Sequence, residues 1–99
     1  MKYRNRPTNG YSSRKEANRA AELQALQRSG VISGLREQTE WILVPKQEGE
    51  RAVKYRSDFD YRDEKGKLVV EDTKGFRTRD YVIKRKLMRF VHNIAVVEL

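Results

Sequence analysis

The spacing of hydrophobic positions along this chain changes period twice, and each change marks an element. From Ser13 to Ser29 the spacing is helical, with Glu16, Ala20, Leu23 and Gln27 on one inward stripe and Ala17 and Gln24 on its flank. Ser13 stands where an N-cap belongs and Gly30 where a left-handed C-terminal cap belongs, so the pattern predicts a helix over 13–29. After Gly34 the period shortens. Gln38 to Val44 carries Trp41-Ile42-Leu43-Val44 and stops at Pro45, which predicts a strand buried on both faces. Val53 to Arg62 alternates, placing Val53, Tyr55, Ser57, Phe59 and Tyr61 on one side and Lys54, Arg56, Asp58, Asp60 and Arg62 on the other. Asp63-Glu64-Lys65-Gly66 reads as a turn, and Lys67 to Lys74 as the antiparallel return. Helical spacing resumes after Arg77-Thr78-Arg79-Asp80, with Thr78 as cap, and runs to His92 with Ile83, Leu87, Phe90 and Val91 facing inward. Ile94 to Leu99 closes the chain as a strand, expected parallel to a central one because a helix crossover precedes it.

The predicted fold is therefore α/β (α+β), an αβββαβ core with a mixed central sheet flanked by two helices. Residues 1–12, polar and basic with Pro7 and Asn9-Gly10, read as an arm, and 13–99 as a single domain. A chain of 99 residues hides only about 60–70% of its unfolded surface, so the core must be small.

Charge narrows the partner. Lys and Arg outnumber Asp and Glu by 22 to 14, a net charge of +8, and such an excess suits a polyanion. Nucleic acid is favoured over a membrane surface, because no helix combines a basic face with a bulky apolar one. The absence of cysteine excludes disulfides and thiolate metal sites, and a single histidine, His92, excludes a zinc site built on two imidazoles. Hard oxygen ligands for Mg²⁺ or Mn²⁺ remain. No apolar run approaches a membrane span and the start lacks a signal-peptide core. The expectation is a soluble, unprocessed, cytoplasmic protein.

The third strand carries the chemistry. Leu68, Val70, Asp72 and Lys74 share one face by the period of two, so an apolar face turns into a carboxylate and an ammonium at its carboxyl end. A strand needing only solubility would place its charges on the opposite face. Asp58 lies one strand back. A four-residue loop would set it across from Glu71, whereas a three-residue loop or a bulge sets it across from Asp72, and only the latter gathers Asp58, Asp72 and Lys74 on one face. Glu16 has two readings, a capping-box partner of Ser13 and a metal ligand. His92 reads as a helix-terminus residue, and Tyr55 and Tyr61 as packed side chains.

Asp58, followed after thirteen intervening residues by Asp72-Thr73-Lys74, resembles the D…(D/E)-x-K signature of the PD-(D/E)XK nuclease superfamily. More narrowly, Met1-Lys2-Tyr3-Arg4-Asn5, Ser13-Arg14-Lys15-Glu16-Ala17, Tyr55-Arg56-Ser57-Asp58-Phe59 and Val70-Glu71-Asp72-Thr73-Lys74-Gly75 resemble segments of small phage-encoded members, some described as Holliday-junction-resolvase-like. The resemblance implies a restriction-endonuclease-like core in which Glu16 joins Asp58 and Asp72 at the metal, Lys74 positions or activates the nucleophile, and Lys84 or Lys86 supports the site. Ser57 stands where the superfamily's proline would, and Glu71 beside Asp72 leaves two candidate acids for one ligand position.

On this reading Asp58, Asp72, Glu16 and the carbonyl of Thr73 would hold Mg²⁺, with Mn²⁺ as substitute, and the ion would stabilise charge on the phosphodiester oxygens and on a water-derived hydroxide. Arg4, Arg6, Arg14, Lys54, Arg56, Arg77 and Arg79 are available for backbone phosphates, without sequence specificity. The expected activity is a DNA endonuclease selective for branched or Holliday-junction DNA, working as a homodimer because resolving a junction takes two cuts. The alternative is a non-catalytic DNA-binding accessory protein that keeps the fold.

Overall fold

Ser13 opens the first helix as its type predicts, its Oγ accepting the Glu16 N–H at 3.1 Å. The computed structural model describes residues 10–11, 13–73 and 76–99. Within them α1 spans Arg14–Arg28, β1 Ser33–Val44, β2 Val53–Arg62, β3 Leu68–Asp72, α2 Arg79–His92 and β4 Val97–Glu98. This is the predicted αβββαβ order. The sheet runs β1-β2-β3-β4, antiparallel except for the β3–β4 pair.

The β2–β3 connection settles the register. Asp63 N–H bonds the Lys67 carbonyl and Gly66 N–H the Asp63 carbonyl, with Gly66 at φ +80, so a three-residue loop closes the hairpin. Phe59 pairs with Glu71, and one further rung brings Asp58 alongside Asp72.

Each helix has its own core. On α1, Ala20 and Leu23 pack with Ile32, Phe59 and Tyr61; on α2, Tyr81 and Met88 pack with Leu43, Tyr55 and Val70. The strict alternation expected for β2 therefore fails, since Tyr55 belongs to the α2 cluster whereas Phe59 and Tyr61 belong to the α1 cluster. The change of side falls around Asp58. Opposite it in β1, Gln38 holds a left-handed backbone at φ +56, uncommon for a residue with a Cβ.

Several further expectations are corrected. β1 begins five residues earlier than predicted, at Ser33, and is an edge strand; Leu43 is buried but Ile42 is 44% exposed. β3 is shorter than expected, and β4 pairs only through Val97 and Glu98. The α2 stripe is rotated: Tyr81 and Met88 are buried and Leu87 partly so, while Ile83, Phe90 and Val91 face outward, Phe90 at 85% exposure. The cause is that Tyr81 and Met88, seven residues apart, fill the space above Tyr55 and Val70, which turns the more apolar-looking stripe away from the sheet. Gln27 is exposed and caps the chain beyond the helix, its Oε1 accepting the Leu35 N–H at 2.7 Å.

Glu98 ties β4 to α2. It accepts Arg77 at 2.7 Å, Arg85 at 3.0 Å and the Tyr81 hydroxyl at 2.6 Å. The Arg77 guanidinium first, then the Tyr81 hydroxyl, push its carboxyl down to about 2. A carboxyl depressed in the folded state contributes stability above its unfolded value and loses it as pH falls towards the folded one. Denaturant titrations between pH 5 and pH 2 are therefore expected to show a loss of stability that is smaller in Glu98→Gln, which starts from a lower value at neutral pH.

Candidate functional site

Of the six acids buried or half-buried in the sheet and its facing helix, three are committed to arginine, Glu98 to Arg77 and Arg85 as described above. Asp60, 1% exposed, accepts Arg36 at 2.6 and 2.9 Å and the Thr39 hydroxyl at 2.5 Å. Glu71, also 1% exposed, takes a two-pronged bond from Arg19 of α1 at 2.6 and 2.8 Å and the hydroxyl of Tyr61. Burial, then the bond to Glu71, pushes the Tyr61 hydroxyl up to about 12, so it stays a donor at neutral pH. Of the two adjacent acids in β3, Glu71 thus turns towards α1 as a structural ion pair.

Among the described residues, the other three accept hydrogen bonds from neutral groups. Asp58 Oδ2 accepts both the N–H and the hydroxyl of Thr73, at 2.8 and 2.7 Å. Asp72, fully buried, accepts the Tyr55 hydroxyl at 2.5 Å. Burial first, then this bond, drives the Tyr55 hydroxyl far above its ordinary range and keeps it protonated. Glu16, 4% exposed, accepts the Gln38 side-chain amide at 3.1 Å. Half of the capping box is therefore seen, through the Ser13 hydroxyl, and the Glu16 carboxylate reaches across to β1.

A cavity of about 290 Å³ gathers Glu16, Gln38 and Asp58 with Gly10, Tyr11 and Glu37. Tyr11, assigned to the arm by its sequence context, packs on the α1 core and donates its hydroxyl to Glu37 at 3.1 Å. The left-handed Gln38 sits in this cavity, and strain of that kind, costing about 1–3 kcal/mol, collects where function requires it.

The expected single face for Asp58 and Asp72 is divided. The register sets them opposite each other, but Asp58 leans to Thr73 and the cavity beside α1, whereas Asp72 turns to Tyr55 in the α2 cluster. The irregularity around Asp58 is the cause. Among the described residues, no three Asp, Glu or His side chains converge closely enough to hold a metal ion. The donor set is nevertheless of the right chemical kind for a hard cation, three carboxylates with the Thr73 carbonyl adjacent.

Lys74, Arg4 and Arg6 lie outside the described residues, as does the segment Met1 to Asn5. Lys84 lines a small depression with Tyr55, Arg56, Thr78, Asp80 and Tyr81. Lys86 lies on the other side of α2 with Arg85, Arg89, Ala95 and Val96. Lys84, not Lys86, is thus the lysine on the side of Asp72's partner. Arg14 and Arg79 are exposed; Lys54 and Arg56 both pair with Glu40, at 3.6 and 2.8 Å, and Arg77 pairs with Glu98. His92 lies edge-on to Trp41, with Nε2 2.7 Å from the Ile42 carbonyl, a role in the α2–β1 contact. Ser57 is buried and accepts the Trp41 indole N–H at 3.1 Å.

Sequence reading missed Tyr55, Gln38 and Arg19 as members of these networks. A tyrosine rather than phenylalanine in a buried run was the available signal for Tyr55, since a buried hydroxyl needs a partner. Nothing in the spacing marked Gln38.

Residues 3–96 match a family model whose description is "Protein of unknown function (DUF1064)". No curated protein and no solved structure matches the chain.

Proposed function

The chain belongs to that DUF1064 family, whose description assigns no activity, and from its own residues we propose that it is a divalent-metal-dependent DNA endonuclease. The observation that carries the reading is the hairpin register, which, continued one rung beyond Phe59 and Glu71, sets Asp58 opposite Asp72, with Glu16 sharing the Asp58 cavity. Asp58, Asp72, Glu16 and the Thr73 carbonyl would be the groups that hold Mg²⁺ or Mn²⁺. Such an ion supplies charge for the phosphate oxygens and acidity for an attacking water.

The chain's own groups prepare this site. Tyr55 orients one acid, Thr73 another and Gln38 the third, and binding a cation requires these carboxylates to exchange present partners for it. Lys74 orients the attacking water, and Lys84, beside Tyr55, adds positive charge on the α2 side. Branched DNA such as a four-way junction is the substrate, cut by paired copies of the chain in the cytoplasm of a phage-infected cell. A second reading, a DNA-binding accessory protein without turnover, is favoured by the lack of a three-acid cluster among the described residues.

The test is incubation with four-way junction, duplex and single-stranded DNA in Mg²⁺, Mn²⁺ or chelator. Cleavage that appears with the cation and stops in chelator is the expected result. Binding without cutting of any substrate selects the accessory protein, and cutting that persists in chelator overturns the metal mechanism.

A further inference from the structure

The connection between β1 and β2 is itself a short, ordered ribbon. Gln47 and Glu50 exchange backbone bonds at 3.1 and 3.0 Å across Glu48-Gly49, with Gly49 at φ +78. That bridge continues the register of the Val44–Val53 pair, so Lys46 stands directly opposite Arg51. Opposed residues of an antiparallel pair share a face, which sets both cations on one side and Gln47 and Glu50 on the other.

That basic side faces α2. A groove of about 640 Å³ is lined by Lys46, Arg51, Ala52, Lys54 and Lys84, with no acidic side chain in its lining. Lys54 shares Glu40 with Arg56 across 3.6 Å; among the described residues no carboxylate pairs with Lys46, Arg51 or Lys84. A cleft lined by one sign of charge concentrates the field and draws in counter-charge. Lys84 also lines the next depression, where the Tyr55 hydroxyl reaches Asp72, so the groove leads to the candidate site.

We propose that the β1–β2 ribbon, the start of β2 and the middle of α2 form a phosphate-backbone clamp in which Lys46, Arg51, Lys54 and Lys84 hold a nucleic-acid strand on its way to Asp72. The clamp rests on the nucleic-acid part of the function proposed above, but not on catalysis. The groove exceeds the size of a single phosphate and offers four cations from the ribbon, β2 and α2, as a run of backbone requires. Its contacts are sequence-independent and sensitive to salt.

The test measures binding of the full chain to a short fluorescent DNA duplex in chelator across a salt series. Lys46→Ala/Arg51→Ala is compared with Lys65→Ala/Lys67→Ala, which removes the same charge from the β2–β3 turn at the opposite end of β2. The ribbon variant is expected to reduce the slope of log affinity against log salt by about 2, roughly 0.9 for each lost phosphate contact. The turn variant should keep the wild-type slope. Equal losses in both variants, or none in the ribbon variant, overturn the clamp. A wild-type chain that cuts nothing yet depends on Lys46 and Arg51 for affinity keeps the clamp and removes the nuclease. Metal-dependent cutting together with unchanged binding by the ribbon variant removes the clamp alone.

Discussion

Asp58→Asn and Asp72→Asn are each expected to cut metal-dependent DNA cleavage by more than about 100-fold, since even groups that only orient metal ligands cost about 10–100-fold when lost. Asparagine keeps an oxygen that accepts from Thr73 at position 58 and from Tyr55 at position 72, so the local bonds have a substitute. It removes the negative charge that a cation requires. Thermal melts of the two variants should therefore stay near the wild-type curve while the cleavage assay falls to background. A variant at either position that cuts as fast as wild type would remove that carboxylate from the mechanism.

The largest loss of stability is expected from Arg19→Met. Arg19 closes a two-pronged bond on Glu71, whose side chain is 2% exposed. Removing one partner of a buried pair leaves the other charge in a medium that cannot solvate it, at a cost of about 3–5 kcal/mol. A domain of this size has only about 5–15 kcal/mol in total. Denaturant unfolding of Arg19→Met should show that drop. Adding Glu71→Gln should recover most of it, because the amide oxygen still accepts from Tyr61 and no unpaired charge remains. If the double variant is no more stable than the single one, the loss comes from Arg19 packing and not from an uncompensated carboxylate.

The order of elements was legible because each boundary carries its own chemistry: Ser13 and Thr78 cap, Pro45 stops a strand, and Gly66 supplies the left-handed turn residue. The hairpin register was legible for a related reason, since one choice of loop gathers charged residues on a face and the other scatters them. Side-chain direction was less so. The β2 alternation assumes a flat strand, and the irregularity around Gln38 and Asp58 sends Tyr55 to one helix and Phe59 to the other. The α2 stripe failed because hydropathy favours Ile83 and Phe90 over Tyr81, while the space above Tyr55 accepts the ring of Tyr81, whose hydroxyl reaches Glu98. Glu16, Asp58 and Asp72 were named from sequence, whereas Glu37, which lines the same cavity, was not. What spacing could not reveal was how the sheet's acids divide: Glu71, Asp60 and Glu98 go to arginines brought from distant positions, while among the described residues Asp58, Asp72 and Glu16 accept from uncharged donors.

The two separate cores give the chain an uneven freedom to change over generations. Leu23 and Met88 lie under different helices, with the sheet between them, so a new side chain beneath one helix leaves the fit beneath the other untouched. The rungs around Asp58 and Asp72, where both sides meet, have no such insulation. Drift should be slowest there and fastest on the outward flanks of the helices.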